Sequence, residues 1–527
     1  MRLVNMSRLH VHKSIYTYGT AAFAFGIFFG PVTGSIPQLV LGLNWILEGQ
    51  FSAKWQRIKT QTWFWAALAY WVWLCCGILY SNRMNLALEQ VKIQLPLCSW
   101  ALIFMSSEAL DLRALKRVLW FFLAGLICSF VYGIAAQFYV SGILDLRKST
   151  RFMSHIRFSQ FQILGFFAAL MLWQNAHTKL SRLIWILAVI TLLLVITIAG
   201  NLSSLVFLLV AFLLLIFQLQ FSIQFKKQIV YTFLLLLFSA CGVLYWMYSA
   251  YFKIKPLYVN QLINQSRSGR PLIHFAPYKD SENGVYIYQN IQMEELRREW
   301  NLKCPEDSFS YNPAYNLKRY EVLIRYLSSL AEIKDSAGVS QLKPQDISMI
   351  KAGYHFRFER SWPPLWKRFY ELLREGRDIK QQNPNSGHSL SMRFLFWKTA
   401  ISAYGKCNIW TGTGPGDLED DMLKIYAENH AISSEWYKKP HQQFITVLLS
   451  SGLMGLVCFG LFIAYPAVHF SFKQNLFMPF WVILILGFTY EDTLNSQAGV
   501  CLWIFWMFWV WQYNALHKEP HLQPGKM

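Results

Sequence analysis

Charge is scarce in this sequence. Asp, Glu, Lys and Arg make up only 15% of its 527 residues, where a soluble domain carries about a quarter. The shortage is concentrated in runs such as 183–199 and 203–220, which hold no ionisable side chain. Runs of that length exclude an ordinary soluble domain and read as membrane spans. Acid is scarcer than base, 29 residues against 49, for a net charge of +20. No basic-aromatic module accompanies the excess, so no nucleic-acid partner is expected. Lys and Arg collecting in cytoplasmic loops of a membrane protein account for it. Cys-x-x-Cys pairs are missing, and no metal site is expected from the nine cysteines. Seven lie in apolar runs, and only Cys304 and Cys407 fall in the long polar region, where a disulfide between them stays open.

What is present is a series of apolar runs, at about 18–31, 33–47, 61–80, 94–109, 117–140, 158–174, 183–199, 203–220, 229–251, 442–466, 476–490 and 497–513. Each is continuous rather than alternating, so helix is the only conformation that satisfies the backbone inside a bilayer. The expected fold is an all-α polytopic membrane protein with about twelve transmembrane helices. The first run leads straight into further spans and does not read as a cleaved signal peptide. The segments "MRLVNMSRLHVHK", "KWQRIK", "DLRALKR", "HTKLSR", Lys226-Lys227 and "HKEPHLQPGK" are basic and fall on one side, the expected cytoplasm. One loop on the other side, "DLRKSTRFMSHIR", is also basic; it is either a tolerated exception or a docking patch for an anionic group.

The chain divides into spans one to nine (1–251), a polar region (252–441), spans ten to twelve (442–513) and a cytoplasmic tail (514–527). The polar region is too long and too patterned for a linker. Tyr320, Leu323, Ile324, Leu327 and Leu330 mark one helical face, and Gln345 to Tyr354 another short helix after Pro344. It is read as a mainly helical external domain.

Charges at membrane depth and broken helices, the usual marks of a transporter, do not stand out. Polar chemistry gathers outside, at three places. In "SMRFLFWKTAISAYGKCNIWTGTGPGD", Arg393 starts a helix and offers a fixed donor fork to phosphate, unless it is a snorkelling surface arginine. Gly412, Gly414 and Gly416 form a turn whose amides could face an anion, with Asp417 placed to cap the next helix. No Gly-Lys-Ser/Thr follows, so it is no nucleotide loop. Glu419, Asp420 and Asp421 are either a cation site or a solvated helix start. The third place is "HQQFITVLLSSGLMG", where His441 stands at the mouth of an apolar helix, an imidazole able to serve as general base near neutral pH.

His441-Gln442, nine residues, Gly452, two residues and Gly455 resemble the signature of the bacterial O-antigen ligase family, His-[Asn/Ser/Gln]-x9-Gly-x2-[Gly/Thr/Tyr]. The layout is similar too: about twelve spans, and a large loop between the ninth and tenth that ends in an Arg-bearing helix, a Gly-rich turn and the histidine. The resemblance implies a GT-C-like, metal-independent membrane glycosyltransferase with no cofactor, in the bacterial inner membrane with the large loop periplasmic. It implies a donor glycan on undecaprenyl pyrophosphate and an acceptor hydroxyl on the lipid A core. Carried onto this chain, Arg393 holds the pyrophosphate and His441 activates the acceptor or orients the phosphate, beside Gln442 and Gly414. A further family arginine, in Arg-x3-Leu, has no counterpart in "TIAGNLSSLVF" around Asn201. Arg147, Lys148, Arg151 and Arg157 are the expected substitutes. Glu491 and Asp492 in "YEDTLNSQ" are either a plain polar loop or position acceptor hydroxyls. Protein O-oligosaccharide transfer and O-antigen polymerisation remain alternatives within the class, and a flippase of lipid-linked sugars or an envelope scaffold outside it.

Overall fold

The structure, a computed structural model, describes all residues except 1, 142–149, 175, 199–201, 219–222, 276–279, 308, 311–318, 358, 360, 381–388, 430–437, 470–476 and 519–527. Arg147, Lys148 and Asn201 therefore lie outside the described residues. The chain forms two compact units, Met1–Ser222 with Met392–Met527, and Ile223–Ser391.

Every apolar run falls on a helix. The first part of the chain forms α1 (Arg2–Gly26), α2 (Pro31–Glu48), α3 (Phe51–Ile58), α4 (Thr62–Ile78), α5 (Met84–Ser106), α6 (Leu112–Ser141), α7 (His155–Gln174), α8 (Lys179–Ile198), α9 (Leu202–Gln218) and α10 (Ile223–Tyr251). The polar region adds a two-strand hairpin, β1 (Ser281–Glu282) and β2 (Val285–Tyr286), and α11 (Met293–Lys303), α12 (Arg319–Ser329), α13 (Ser336–Ser340), α14 (Pro344–Lys351) and α15 (Pro364–Lys380). The rest comprises α16 (Ser389–Tyr404), α17 (Leu418–Asn429), α18 (Gln443–His469), α19 (Phe477–Phe488) and α20 (Gln497–Lys518). Among the described residues, α6, α7, α8 and α18 are long and apolar enough to cross a membrane, and α4, α9 and α19 are shorter apolar helices. The chain is thus an all-α membrane protein.

Helix α5 differs from the expected run. It starts at Met84 rather than near 94. Glu89, Gln90, Lys92 and Gln94 interrupt the hydropathy of its first half. This half is nevertheless packed: Ala87 is fully buried, and buried Gln94 accepts a hydrogen bond from Tyr70 Oη at 3.0 Å.

The membrane unit is glued by aromatic side chains. Phe122 stacks on Phe505 at 4.9 Å and meets Phe161 at 6.0 Å, while Trp100 and Phe104 pack on Phe508. The basic segments "KWQRIK" and "DLRALKR" share one end of this unit. There Arg57 pairs with Glu108 at 3.2 Å and Lys13 with Asp111 at 3.6 Å. Short α3 overlaps "KWQRIK", and its Lys54 is buried against Glu48 at 2.8 Å.

In the other unit, α12 buries Leu323, Ile324 and Leu327 beside Trp300 and Cys304. Arg319 is fully buried and pairs with Asp307 at 2.6 Å, since a guanidinium removed from water needs a carboxylate beside it. Arg357 forks onto the buried carboxylate of Asp346 at 2.7 and 2.8 Å. Cys304 is buried in this unit; in the membrane unit, Cys407 Sγ donates to the Tyr404 carbonyl at 3.2 Å.

Candidate active site

The site begins with one carboxylate. Buried Asp492 accepts from the amide of His441 at 3.0 Å, the amide of Gln442 at 2.8 Å and the hydroxyl of Thr446 at 2.6 Å. It thus meets the free amides that begin α18, where the helix dipole favours an anion. Gln442 completes the cap, its Oε1 accepting from the Ile445 amide at 2.6 Å. His441 itself has φ +51°, a left-handed backbone that costs a non-glycine residue free energy and is held there by Asp492. The helix cap therefore fixes the direction in which the imidazole leaves the chain.

The signature glycine has an equally local cause. Helix α18 is not the continuous span expected but is broken at Gly452, with φ +65° and ψ −169°. A break in an apolar helix strands carbonyls and amides that lipid cannot satisfy. The glycine-rich turn supplies them. Thr413 and Gly414 amides donate to the Leu449 and Ser450 carbonyls at 2.8 and 3.0 Å. Leu453 and Met454 amides donate to the Ile409 and Trp410 carbonyls at 2.9 and 3.3 Å. Trp73 Nε1 donates to the Ser451 carbonyl at 2.9 Å. The Gly414 amide is thereby engaged inside the protein. Asp417 does not cap α17 with its side chain; its carboxylate accepts from the amides of Asn82 and Arg83 at 2.7 and 2.8 Å, at the start of α5. The charge is better placed there because it ties the turn to a second helix hairpin.

Around this frame the charged side chains converge. Arg157, in the first turn of α7, pairs with buried Glu491 at 3.0 Å. The other oxygen of Glu491 lies 3.8 Å from His441 Nδ1. The imidazole also faces Phe396 at 6.0 Å between ring centres. Arg393 stands one turn before Phe396 on α16, over the ring of Tyr490 at 5.9 Å. The Tyr490 hydroxyl and the Nε of Arg157 are buried without a hydrogen-bond partner among the described residues. A cavity of about 500 Å³ opens here, lined by Arg157, Lys438, Lys439, His441, Asp492 and Asn495, with Glu419, Met422, Leu423 and Tyr426 on α17. Tyr426 Oη donates to the Lys438 carbonyl at 3.0 Å and anchors the segment leading to His441. The acidic run is ion-paired throughout: Glu419 with Lys439 at 2.7 Å, Asp420 with Arg83 at 2.5 Å and Asp421 with Lys424 at 2.7 Å.

His441, Arg157, Glu491 and Asp492 are thus brought together, and Arg393 joins them through Tyr490 and Phe396. Gln442 and Gly414 serve as cap and joint. Arg151 is exposed on the segment before α7 and does not line the cavity. Lys438, Lys439, Tyr490 and Asn495 were not assigned from the sequence. For the lysines a signal existed, since "KKP" directly precedes the histidine. Chemically, the arrangement offers an imidazole with a carboxylate at its back and three cations, Arg157, Lys438 and Lys439, on the same cavity wall, which suits attack by a hydroxyl with departure of an anionic group.

Residues 362–460 match the family described as O-antigen ligase. No curated protein matches the chain.

Proposed function

Through its segment 362–460 this chain is a member of the O-antigen ligase family, and from that premise we propose a membrane glycosyltransferase that moves a glycan from undecaprenyl pyrophosphate to an acceptor hydroxyl. The most specific form of this reading is ligation of O-antigen to the lipid A core at the periplasmic face, in a twelve-span inner-membrane protein. The observation that carries it is the cationic cavity at the mouth of α18, with His441 and Arg157 both on its wall.

In this reading the pyrophosphate lies against Arg157, Lys438 and Lys439, and Arg157 replaces the family arginine missing near Asn201. Arg393 contributes positive charge from α16. The acceptor hydroxyl gives its proton to His441 as its oxygen bonds to the anomeric carbon. The bond from that carbon to the phosphate oxygen breaks, and the lipid pyrophosphate leaves as an anion. Glu491 orients the imidazole and stabilises the imidazolium, while Arg157 holds Glu491. Fixed cations near the departing oxygen act where charge develops and need no reorganisation.

The test is complementation of a strain lacking this gene with wild type, His441→Asn, Arg157→Ala and Arg393→Ala at matched membrane abundance. Asparagine tolerates the left-handed backbone, so His441→Asn removes the base and keeps the turn. Loss of polymeric sugar on lipid A core supports ligation. Normal lipopolysaccharide with lost glycoprotein staining moves the acceptor to protein. Wild-type behaviour of every variant refutes the catalytic assignment and favours a flippase or scaffold.

A further inference from the structure

A second cavity, of about 310 Å³, adjoins the first, and Glu419, Lys439 and Asn495 line both. Its far wall is the first half of α5, through Leu86, Glu89, Gln90, Ile93 and Gln94. These positions recur at helical spacing and form one face. Glu89, Gln90 and Gln94 thus turn a polar stripe toward the cavity on a helix that continues into an apolar run. A polar side chain kept inside a membrane helix calls for a functional reason.

The stripe has unused hydrogen-bonding capacity. Gln90 Oε1 is buried with no partner among the described residues. Gln94, which also lines the cavity, accepts from Tyr70 through Oε1, and a carboxamide has two N–H donors besides. Across from them, Pro415 and Gly416 are held rigid by Asp417 on the start of α5. The chemistry differs from that of the neighbouring cavity. The one cation among the described lining residues is Lys439, already paired with Glu419 at 2.7 Å. The carboxylates of Glu89 and Glu419 repel a phosphate, and with the carboxamides of Gln90, Gln94 and Asn495 they suit hydroxyls, which both donate and accept. The volume matches a small-ligand site.

We propose that this second cavity is a saccharide subsite that takes an uncharged, hydroxyl-rich sugar ring next to the pyrophosphate site. The inference rests on the proposed glycosyl transfer, because a sugar must lie within one bond of the phosphate held next door. That sugar belongs either to the donor glycan, at its phosphate-linked end, or to the acceptor. Both present the same chemistry, and the experiment separates them.

Purified full-length chain in nanodiscs is titrated with three probes: inorganic pyrophosphate, lipid-free glycan released from the cell's undecaprenyl-linked pool, and core oligosaccharide released from lipopolysaccharide. Gln90→Leu removes a carboxamide whose Oε1 makes no internal hydrogen bond. Glu89→Ala, at an exposed position, is the second variant. Each is expected to weaken one saccharide by about fivefold, the loss of one net hydrogen bond, and to leave pyrophosphate affinity unchanged. Arg157→Ala is expected to do the reverse. A response with donor glycan assigns the subsite to the donor, and a response with core oligosaccharide assigns it to the acceptor. No saccharide binding by wild type, wild-type saccharide affinity in both variants, or a parallel loss of saccharide and pyrophosphate affinity overturns the proposal. Binding needs no turnover, so a chain that binds sugar but transfers none refutes the proposed function and leaves this subsite standing.

Discussion

Gly452→Ala isolates the broken helix. The backbone at φ +65° and ψ −169° lies in a region essentially confined to glycine, so a side chain there costs about 1–3 kcal/mol before any contact is considered. A Cβ at this position would stand 2.2 Å from the Trp410 carbonyl oxygen, so the turn must move. Moving it breaks the hydrogen bonds made by Thr413, Gly414, Leu453 and Met454. At about 0.5–1.5 kcal/mol net for each of the four, that adds roughly 2–6 kcal/mol. The total, on the order of 5 kcal/mol, rivals the whole stability margin of a typical domain. The assay is thermal denaturation of detergent-solubilised protein, followed by size-exclusion fluorescence. A fall of roughly 10 °C is expected, together with loss of glycan transfer. Gly460→Ala on the same helix is the control, because a Cβ there meets nothing within 4 Å. Equal melting of the two variants would refute the idea that the signature glycine exists to let the turn complete a broken helix.

Asp492→Ala strands the amides of His441 and Gln442 and the hydroxyl of Thr446; a stability loss of about 2–4 kcal/mol is expected in chemical denaturation, with activity lost even at temperatures where the variant stays folded. Arg157→Lys keeps the charge but not the fork, so a raised donor KM with a smaller change in acceptor KM is expected in steady-state assays; unchanged donor kinetics would remove Arg157 from the pyrophosphate site. In the unit Ile223–Ser391, the hydrogen bonds of Arg357 hold the Asp346 carboxyl at about 2, below its ordinary 3.8, with further help from Tyr326 and the Lys343 amide. A lowered carboxyl stabilises the fold fully above about pH 4 and loses that contribution as pH falls through about 2. Arg357→Leu should therefore cost about 1–2 kcal/mol at pH 7, discounted for the half-exposed arginine, and wild type and variant should converge near pH 2; a difference independent of pH would exclude the ion pair as its source.

The twelve apolar runs were legible because each had to satisfy its own backbone, and every one of them falls on a helix. Helix α12 was legible for the same kind of reason, its buried Leu323, Ile324 and Leu327 repeating with the helical period. The start of α5 was not, because Glu89, Gln90 and Gln94 lower its hydropathy while lining a cavity rather than facing lipid. The break in α18 was also invisible. Gly452 reads like any other glycine in an apolar run until Thr413 and Gly414 are found on the carbonyls around it. The histidine signature marks the start of α18, yet nothing in it announces that Asp492, 51 residues later, holds the His441 amide.

The order of residues alone determined that the chain carries helices apolar enough to cross a membrane and that His441 stands at a helix mouth. These are properties of single segments, set by local hydropathy and by the needs of the backbone. Tertiary structure decided which of Arg151 and Arg157 reaches the carboxylate beside the histidine. Arg157 does so because the first turn of α7 comes beside Glu491, whereas Arg151, six residues earlier, stays exposed. It also decided that Glu419 binds Lys439 and that two cavities share this pair. Charges so far apart in the chain meet only when helices pack, and packing depends on the shapes of many apolar side chains at once rather than on any motif.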